Sequence, residues 1–246
     1  MKKRGLDPLR LRALLLSAGA FGHENEVGKR VARVLGFYQY DEADLPWGHP
    51  IDGVVAHLDL TAKQVMAVGD HDDISVPSER SEWNAEPHAT PTHTDLEPIE
   101  IVQPEGVSLS VDGNEVTWAD SKFRFGFDIR EGLTLYQLSI KDGDIERPVI
   151  YRASIAEMVV PYAHPSPSRY WINYFDQGEY MFGRYSNSLE LGCDCLGEIT
   201  YFDVTIADEN CERRVIKNAI CLDEKDFGVL WKHVDMFNGI SEVRRQ

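Results

Sequence analysis

The residues of this 246-residue chain best equipped for chemistry stand together at Tyr170-Trp171-Ile172-Asn173-Tyr174-Phe175-Asp176-Gln177-Gly178-Glu179-Tyr180. An acid among so many aromatic rings can be desolvated, and desolvation raises a carboxyl pKa toward the range a general base needs. On composition alone a plainer arrangement is favoured, a strand and turn in which Asp176 caps Gly178. Glu179, three residues on, admits a two-carboxylate glycosidase, although sequence spacing does not supply the carboxyl separation that such chemistry requires.

A second cluster runs through Asn187-Ser188-Leu189-Glu190-Leu191-Gly192-Cys193-Asp194-Cys195-Leu196-Gly197. Its Cys-x-Cys pair, with Cys211 and Cys221, invites a metal reading, but the spacing departs from the two to four residues usual between paired zinc ligands. Disulfide pairing or plain burial suits the four cysteines better, and three complete connectivities stay open. The eight histidines (23, 49, 57, 71, 88, 93, 164 and 233) form no His-x-His or His-x₃-His pair. Asp70-His71-Asp72-Asp73 offers hard ligands, yet such a run is more simply a solvated turn. No Gly-x-Gly-x-x-Gly, P-loop or Gly-x-Ser-x-Gly elbow is present.

The elements that must position these residues read as mostly β. Candidate strands fall at residues 9–17, 33–39, 53–59 and 64–68. The stretch 71–98, with Pro77, Pro87, Pro91 and Pro98 among polar residues, reads as a connector. Further strands are expected at 107–111, 115–118, 123–127, 133–140, 145–150, 216–221 and 227–231. Asp112-Gly113-Asn114 and Lys141-Asp142-Gly143-Asp144 mark hairpins, because Gly accepts the positive φ of the turn. The expected fold is mainly β: a small α+β domain over residues 1–98, linker included, then an incomplete antiparallel β-sandwich over 99–246. Residues 242–246 follow a strand with no closing element, so the sandwich is expected to stop early with open edges.

Composition narrows the function classes. Apolar residues make up 43% and charged residues 27%, the balance of a globular protein rather than a disordered one. The excess of 41 acidic over 25 basic side chains gives −16, which disfavours nucleic acid and anionic membrane surfaces and leaves cationic small molecules compatible. No run approaches the roughly 18 apolar residues of a membrane span. The basic Met1–Arg4 start and the apolar run over 14–21 imitate a signal peptide, but Asp7, Arg10 and Arg12 interrupt it, so a cytoplasmic rather than exported protein is expected.

Several strings together carry a resemblance. The run Arg147-Pro148-Val149-Ile150-Tyr151-Arg152-Ala153-Ser154-Ile155-Ala156-Glu157-Met158-Val159-Val160-Pro161-Tyr162 closely resembles the catalytic domain of bacterial copper amine oxidases. So do residues 173–180 and 187–197, Ala219-Ile220-Cys221 with Asp226-Phe227-Gly228, and residues 101–106. Trp47-Gly48-His49-Pro50-Ile51-Asp52-Gly53 continues it more weakly toward the start. The resemblance implies the family's middle α+β domain followed by the opening part of its catalytic sandwich. It implies oxidation of primary amines to aldehydes by dioxygen, with release of ammonia and hydrogen peroxide. The cofactors it implies are copper and topaquinone, the latter made from a tyrosine of the family's own chain.

Carried over position by position, Asp176 matches the proton acceptor that removes the α-proton of the bound amine. Tyr162 matches a phenol that hydrogen-bonds the quinone, Tyr174 a gate beside it, and Trp47 and Tyr180 aromatic positions of the amine channel. Cys195 and Cys221 match an intrachain disulfide, leaving Cys193 and Cys211 as thiols; a loop of that length is worth roughly 3–4 kcal/mol in the chain-entropy model. The family's Asn-Tyr-Asp/Glu-Tyr motif and copper-binding histidines fall beyond Gln246, so no metal ligand is expected here. His164 stands where the family commonly has aspartate, and Asp223 where it commonly has histidine. Expected partners are a primary amine, dioxygen, a downstream polypeptide completing the domain, and a second copy in the complete enzyme. A non-catalytic β-rich interaction protein built on the same scaffold is the alternative.

Overall fold

The computed structural model describes residues 1–16, 23–71, 73–79, 95–155, 157–175, 177–239 and 241–245. The chain divides into two units: Met1–Leu96 with Val159–Tyr174, and Glu97–Met158 with Phe175–Gln246. Expectation gave all of 99–246 to the second domain, whereas Val159–Tyr174, which carries two of the three tyrosines singled out above, packs with the first unit.

The first unit is a four-stranded antiparallel sheet of β1 (Leu11–Leu16), β2 (Val31–Tyr38), β3 (Pro50–Asp59) and β4 (Gln64–Asp70), in that order. Along β3 the side chains alternate, with Ile51, Val55 and Asp59 turned inward, as a half-buried pleated strand requires. Leu16 and Val55 pack with Trp171 and Ile172, and Leu14, Leu35 and Tyr174 close around them. The unit's helical content, among described residues, is confined to 3₁₀ turns such as Pro8–Arg10 and Pro46–Gly48. Proline fits the first position of such a turn, and three residues are too few to sustain an α-helix.

The second unit carries a five-stranded meander. Its strands are β5 (Leu109–Asp112), β6 (Glu115–Trp118), β7 (Ser121–Asp128), β8 (Gly132–Asp142) and β9 (Ile145–Ser154). Both Asp-Gly hairpins form: Asp112 pairs with Glu115 and Asp142 with Ile145 across two-residue loops, with Gly113 at φ +60° and Gly143 at φ +62°. The short β10 (Val159–Pro161) pairs with β11 (Asn173–Phe175). β12 (Thr200–Ala207) pairs with β13 (Arg213–Leu222), and their inward residues Val204, Ile206, Ile216 and Ile220 meet Val116 and Phe125 of the meander. Phe125 and Phe202 sit with ring centroids 4.6 Å apart.

The strand expected at 227–231 begins only at its last residue. It is β14 (Trp231–Asp235), which forms a hairpin with β15 (Ser241–Arg245). Among the described residues no helix is long and apolar enough to cross a membrane.

Candidate active site

Three of the singled-out aromatics come together in the first unit. Tyr162 follows β10, and its N–H donates to the Ile172 carbonyl at 3.1 Å, which brings it alongside Tyr174 of β11. The two phenol rings meet edge to face, with centroids 5.4 Å apart and planes 65° apart. Trp47 rides on the Pro46–Gly48 turn and makes a similar contact with Phe37 at 4.9 Å. Gly36, beside Phe37, sits at an irregularity of β2, where a Cβ would stand 3.1 Å from Leu11 and 3.3 Å from Ile51 and so crowd both side chains. Trp47, Tyr162 and Tyr174 line one cavity of about 260 Å³, with Phe37, Ile51 and Ile172 as further walls.

The polar wall of this cavity is an ion pair: Asp52 Oδ1 accepts from both Nε and Nη2 of Arg169, while Arg4 donates to the Asp52 carbonyl at 2.9 Å. Pairing a carboxylate with a guanidinium lets both stand beside apolar walls.

Two buried polar assemblies, one built on an ion pair and one on a histidine hydrogen bond, stand beside Trp171 and Trp47. Arg33, fully buried, donates through Nη2 to both oxygens of Glu26 at 3.0 and 2.7 Å and lies over the Trp171 ring at 5.2 Å. His57 Nδ1 lies 2.8 Å from Glu26, and His23 Nε2 lies 3.0 Å from the Tyr170 hydroxyl. Around Trp47, the ring of His49 bridges Asp44 Oδ1 at 2.9 Å and the Pro77 carbonyl at 2.7 Å. A carbonyl can only accept, so Nδ1 carries a proton. Asp44 and His49 flank the turn that bears Trp47 and join across it. Sequence reading missed both assemblies, because a lone His or Arg in a strand is indistinguishable from a surface residue until its partner is folded beside it.

Asp176 lies outside the described residues. Its neighbours are well defined in the second unit. The N–H of Glu179 donates to Phe175 O at 2.8 Å and that of Met181 to Gln177 O at 2.9 Å, which makes the turn expected after β11. The Gly178 N–H donates to both carboxylate oxygens of Glu157, at 3.1 Å each, and the cap expected from Asp176 falls outside the described residues. Glu179 itself is exposed. Tyr180 lines a shallow cavity of the second unit with Phe182, Tyr185 and Ser186.

All four cysteines are thiols, so the Cys195–Cys221 bridge implied by resemblance is not formed in this structure. The two are nonetheless neighbours. Strand register sets Tyr201 opposite Cys221, and Cys195 Sγ lies 3.5 Å from the Tyr201 hydroxyl. Burial, reinforced by a hydrogen bond to Cys195, pushes the Cys221 thiol up to about 11, and the hydrogen bond to Cys195 pushes Tyr201 up to about 12. A thiol held protonated is a poor nucleophile, so Cys221 is slow to initiate disulfide exchange. Among the described residues no group of three or more His, Cys, Asp or Glu side chains could hold a metal ion, so these residues do not fit copper.

Comparison with known proteins places this fold. Residues 110–246, more than half of the chain, match the family described as "Copper amine oxidase, enzyme domain". The chain is 51% identical over 242 residues to a histamine oxidase of Arthrobacter globiformis, covering 98% of this chain and 35% of that protein. It is 47% identical over 246 residues to a primary amine oxidase of Arthrobacter sp. strain P1, covering all of this chain and 38% of that one. Among solved structures, a copper-containing benzylamine oxidase from Hansenula polymorpha superposes with a TM-score of 0.68 at 27% identity, over 99% of this chain and 39% of that one. An Aspergillus nidulans amine oxidase at 18% identity and TM-score 0.71 shares the fold, over 94% of this chain and 34% of that one.

The antiparallel scaffold and these matches define a domain of the copper amine oxidase type. The chain belongs to the copper amine oxidase family, whose activity depends on copper and topaquinone. It spans a little over a third of the length of the curated relatives it matches.

Proposed function

We propose that this chain supplies the amine-binding and proton-removing side of a primary amine oxidase, and that residues outside it supply the copper ligands and the cofactor tyrosine. The observation that carries the reading is the convergence of Trp47, Tyr162 and Tyr174 on one cavity, since these positions match the family's channel, quinone-contact and gate residues. Copper and quinone would supply the redox chemistry, taking electrons from the amine and passing them to dioxygen. The chain's own contribution is different. Aromatic walls hold the hydrocarbon part of the amine and exclude water, and the Tyr162 hydroxyl supplies one oriented hydrogen bond. Asp176 takes the α-proton, for which a carboxylate in a dry site is suited. Tyr180 lines the outer channel.

The second unit exposes the large apolar side chains Phe227, Leu230, Met236 and Phe237. Exposed apolar side chains of this size suit surfaces that pack against protein. They equally suit a non-catalytic interaction protein, so the test must separate the two readings.

Purified alone and treated with copper and oxygen, the chain is expected to give no quinone stain and no peroxide from a primary amine. Co-expressed with a polypeptide carrying Asn-Tyr-Asp/Glu-Tyr and His-x-His, it is expected to give both, and Asp176→Asn to abolish turnover. A quinone-positive chain on its own, or an assembly indifferent to Asp176→Asn, overturns the reading. In the assembled enzyme Cys195 and Cys221 are expected to join on oxidation. Non-reducing peptide mapping that still shows four alkylatable thiols after treatment with oxidised glutathione refutes that pairing.

A further inference from the structure

Three of the four cysteines stand together in the second unit at different depths: Cys193 is exposed, Cys221 is partly buried, and Cys195 is buried at 2% exposure. A tight turn sets Cys193 beside Cys195. Leu191 and Cys195 form a bridge, and the Gly192 N–H donates to the Cys195 carbonyl at 2.8 Å. The N–H groups of Cys193 and Asp194 both donate to the Glu190 carbonyl, at 3.2 and 2.9 Å. Gly192 takes the positive φ of the turn, +84°. Two residues of extended chain span at most about 7 Å, and a turning chain spans less, which brings residues 193 and 195 into the Cα separation of roughly 4.4–6.8 Å that a disulfide accepts. Cys195 in turn shares a hydrogen bond with the Cys221 thiol, and its Sγ lies 3.5 Å from the hydroxyl of Tyr201, the residue opposite Cys221 in the β12–β13 ladder.

Depth decides which sulfur an oxidant in solution can reach. Exchange begins with attack of a thiolate on a disulfide sulfur, so access governs it together with acidity. A tripeptide disulfide cannot approach the buried Cys195, and Cys221, kept protonated by burial, is slow to begin. Cys193 faces solvent and stands in the same turn as Cys195.

We propose that Cys193 is the entry site for a low-molecular-weight disulfide such as oxidised glutathione, and that it passes the oxidation to Cys195 and thence to Cys221. This rests on the reading of Cys195 and Cys221 as a pair that joins on oxidation. In the first step the Cys193 sulfur attacks oxidised glutathione, the glutathione S–S bond breaks, and one glutathione leaves with the Cys193 proton. In the second, Cys195 attacks the Cys193 sulfur and expels the second glutathione, which takes the Cys195 proton. In the third, Cys221 attacks Cys195, the Cys193–Cys195 bond breaks, and the Cys221 proton passes to the departing Cys193. Two electrons have moved from Cys195 and Cys221 to glutathione, and Cys193 is regenerated as a thiol. Cys221 never has to meet a free oxidant; it attacks a neighbouring sulfur, where proximity offsets its weak acidity.

The molecule carries its own control. Cys211 is exposed like Cys193 but precedes β13 at the end remote from Cys221, and the run from Arg213 to Cys221, at ~3.3 Å per residue, separates them by roughly 25 Å.

The test follows the reduced full chain in oxidised glutathione, with samples acid-quenched at intervals, alkylated and peptide-mapped by mass spectrometry. The first glutathione adduct on the three clustered cysteines is expected on Cys193, followed by the Cys195–Cys221 disulfide. Cys193→Ser is expected to slow formation of that disulfide at least about tenfold while reaching the same final pairing, and Cys211→Ser to leave the rate unchanged. Cys221→Ser should stop the sequence at Cys193, as the glutathione adduct or the Cys193–Cys195 disulfide. A Cys195–Cys221 bond that forms at the wild-type rate in Cys193→Ser overturns the relay alone. So does a first adduct on Cys195 or Cys221 in wild type, a measurement that needs no variant to fold. Exhaustive oxidation of wild type that never joins Cys195 to Cys221 overturns the pairing itself, and the relay falls with it.

Discussion

The two units put their charges in opposite places. In the first, Arg33, Glu26, Asp44 and His49 are buried; the Arg33–Glu26 ion pair lies against Trp171, and the His49–Asp44 hydrogen bond flanks Trp47. In the second, the interior is Val116, Phe125, Val204, Ile206, Ile216 and Ile220, while pairs such as Arg124–Glu115 and Lys122–Glu146 lie at the surface. Apolar packing is non-directional and tolerates repacking, so it serves a scaffold. Buried ion pairs contribute less net stability but demand one geometry, which suits a unit that must hold aromatic rings at the mouth of a cavity.

The largest expected effect tests that contrast in the first unit. Glu26→Ala leaves Arg33 buried without its carboxylate and is expected to destabilise by about 3–5 kcal/mol, with hydrogen exchange accelerated chiefly in β2 and β3. A loss below about 1 kcal/mol in denaturant unfolding would mean that the pair is not buried as described. In the second unit Ile206→Ala is expected to cost about 2–5 kcal/mol by opening a cavity in the apolar interior, whereas Ile206→Val should cost only about 0.5–1.5.

The pH dependence of the second unit supplies a smaller test. Hydrogen bonds from Gln103, the Ser108 N–H and Trp118 hold the Glu224 carboxyl down to about 2. Its ordinary value in an unfolded chain is about 4.3. A carboxylate with a depressed folded pKa contributes stability above the unfolded value and loses it as pH falls through the folded one. The charge-dependent part of the stability gap between wild type and Glu224→Gln is therefore expected to be constant above about pH 5 and to shrink steadily as pH falls from there toward about 2. A gap as large near pH 2 as at about pH 6 would show that the carboxylate's charge is not what the three donors recognise. The smallest effect belongs to Arg124→Ala, expected to change stability by less than about 1 kcal/mol and to be erased by salt, since the pair is solvated.

How far the sequence revealed this molecule follows from the range of the interactions involved. The Asp-Gly hairpins were legible because a two-residue loop and its flanking alternation are contiguous. The β12–β13 pair was half visible: residues 216–221 read as a strand, but the Asp203 irregularity breaks the alternation of its partner, where the register shifts between Phe202 and Val204. The C-terminal hairpin was displaced by the apolar Phe227-Gly228-Val229-Leu230, whose composition suits a strand although the chain there is irregular.

At the site, Trp47 could be joined to Tyr162 and Tyr174 only through resemblance, since more than a hundred residues separate them. The contacts of Glu157 were invisible. Its partners are backbone N–H groups, which leave no trace in side-chain chemistry, and it adopts a conformation that its residue type does not advertise.

The contact between Glu157 and Gly178 makes the two positions an epistatic couple. A larger residue at 178 is admitted only if the Glu157 carboxylate swings aside and releases the amide it holds, whereas a shorter residue at 157 removes the obstruction, because the obstructing atom is Oε2 itself. A substitution at either position therefore changes what the other tolerates.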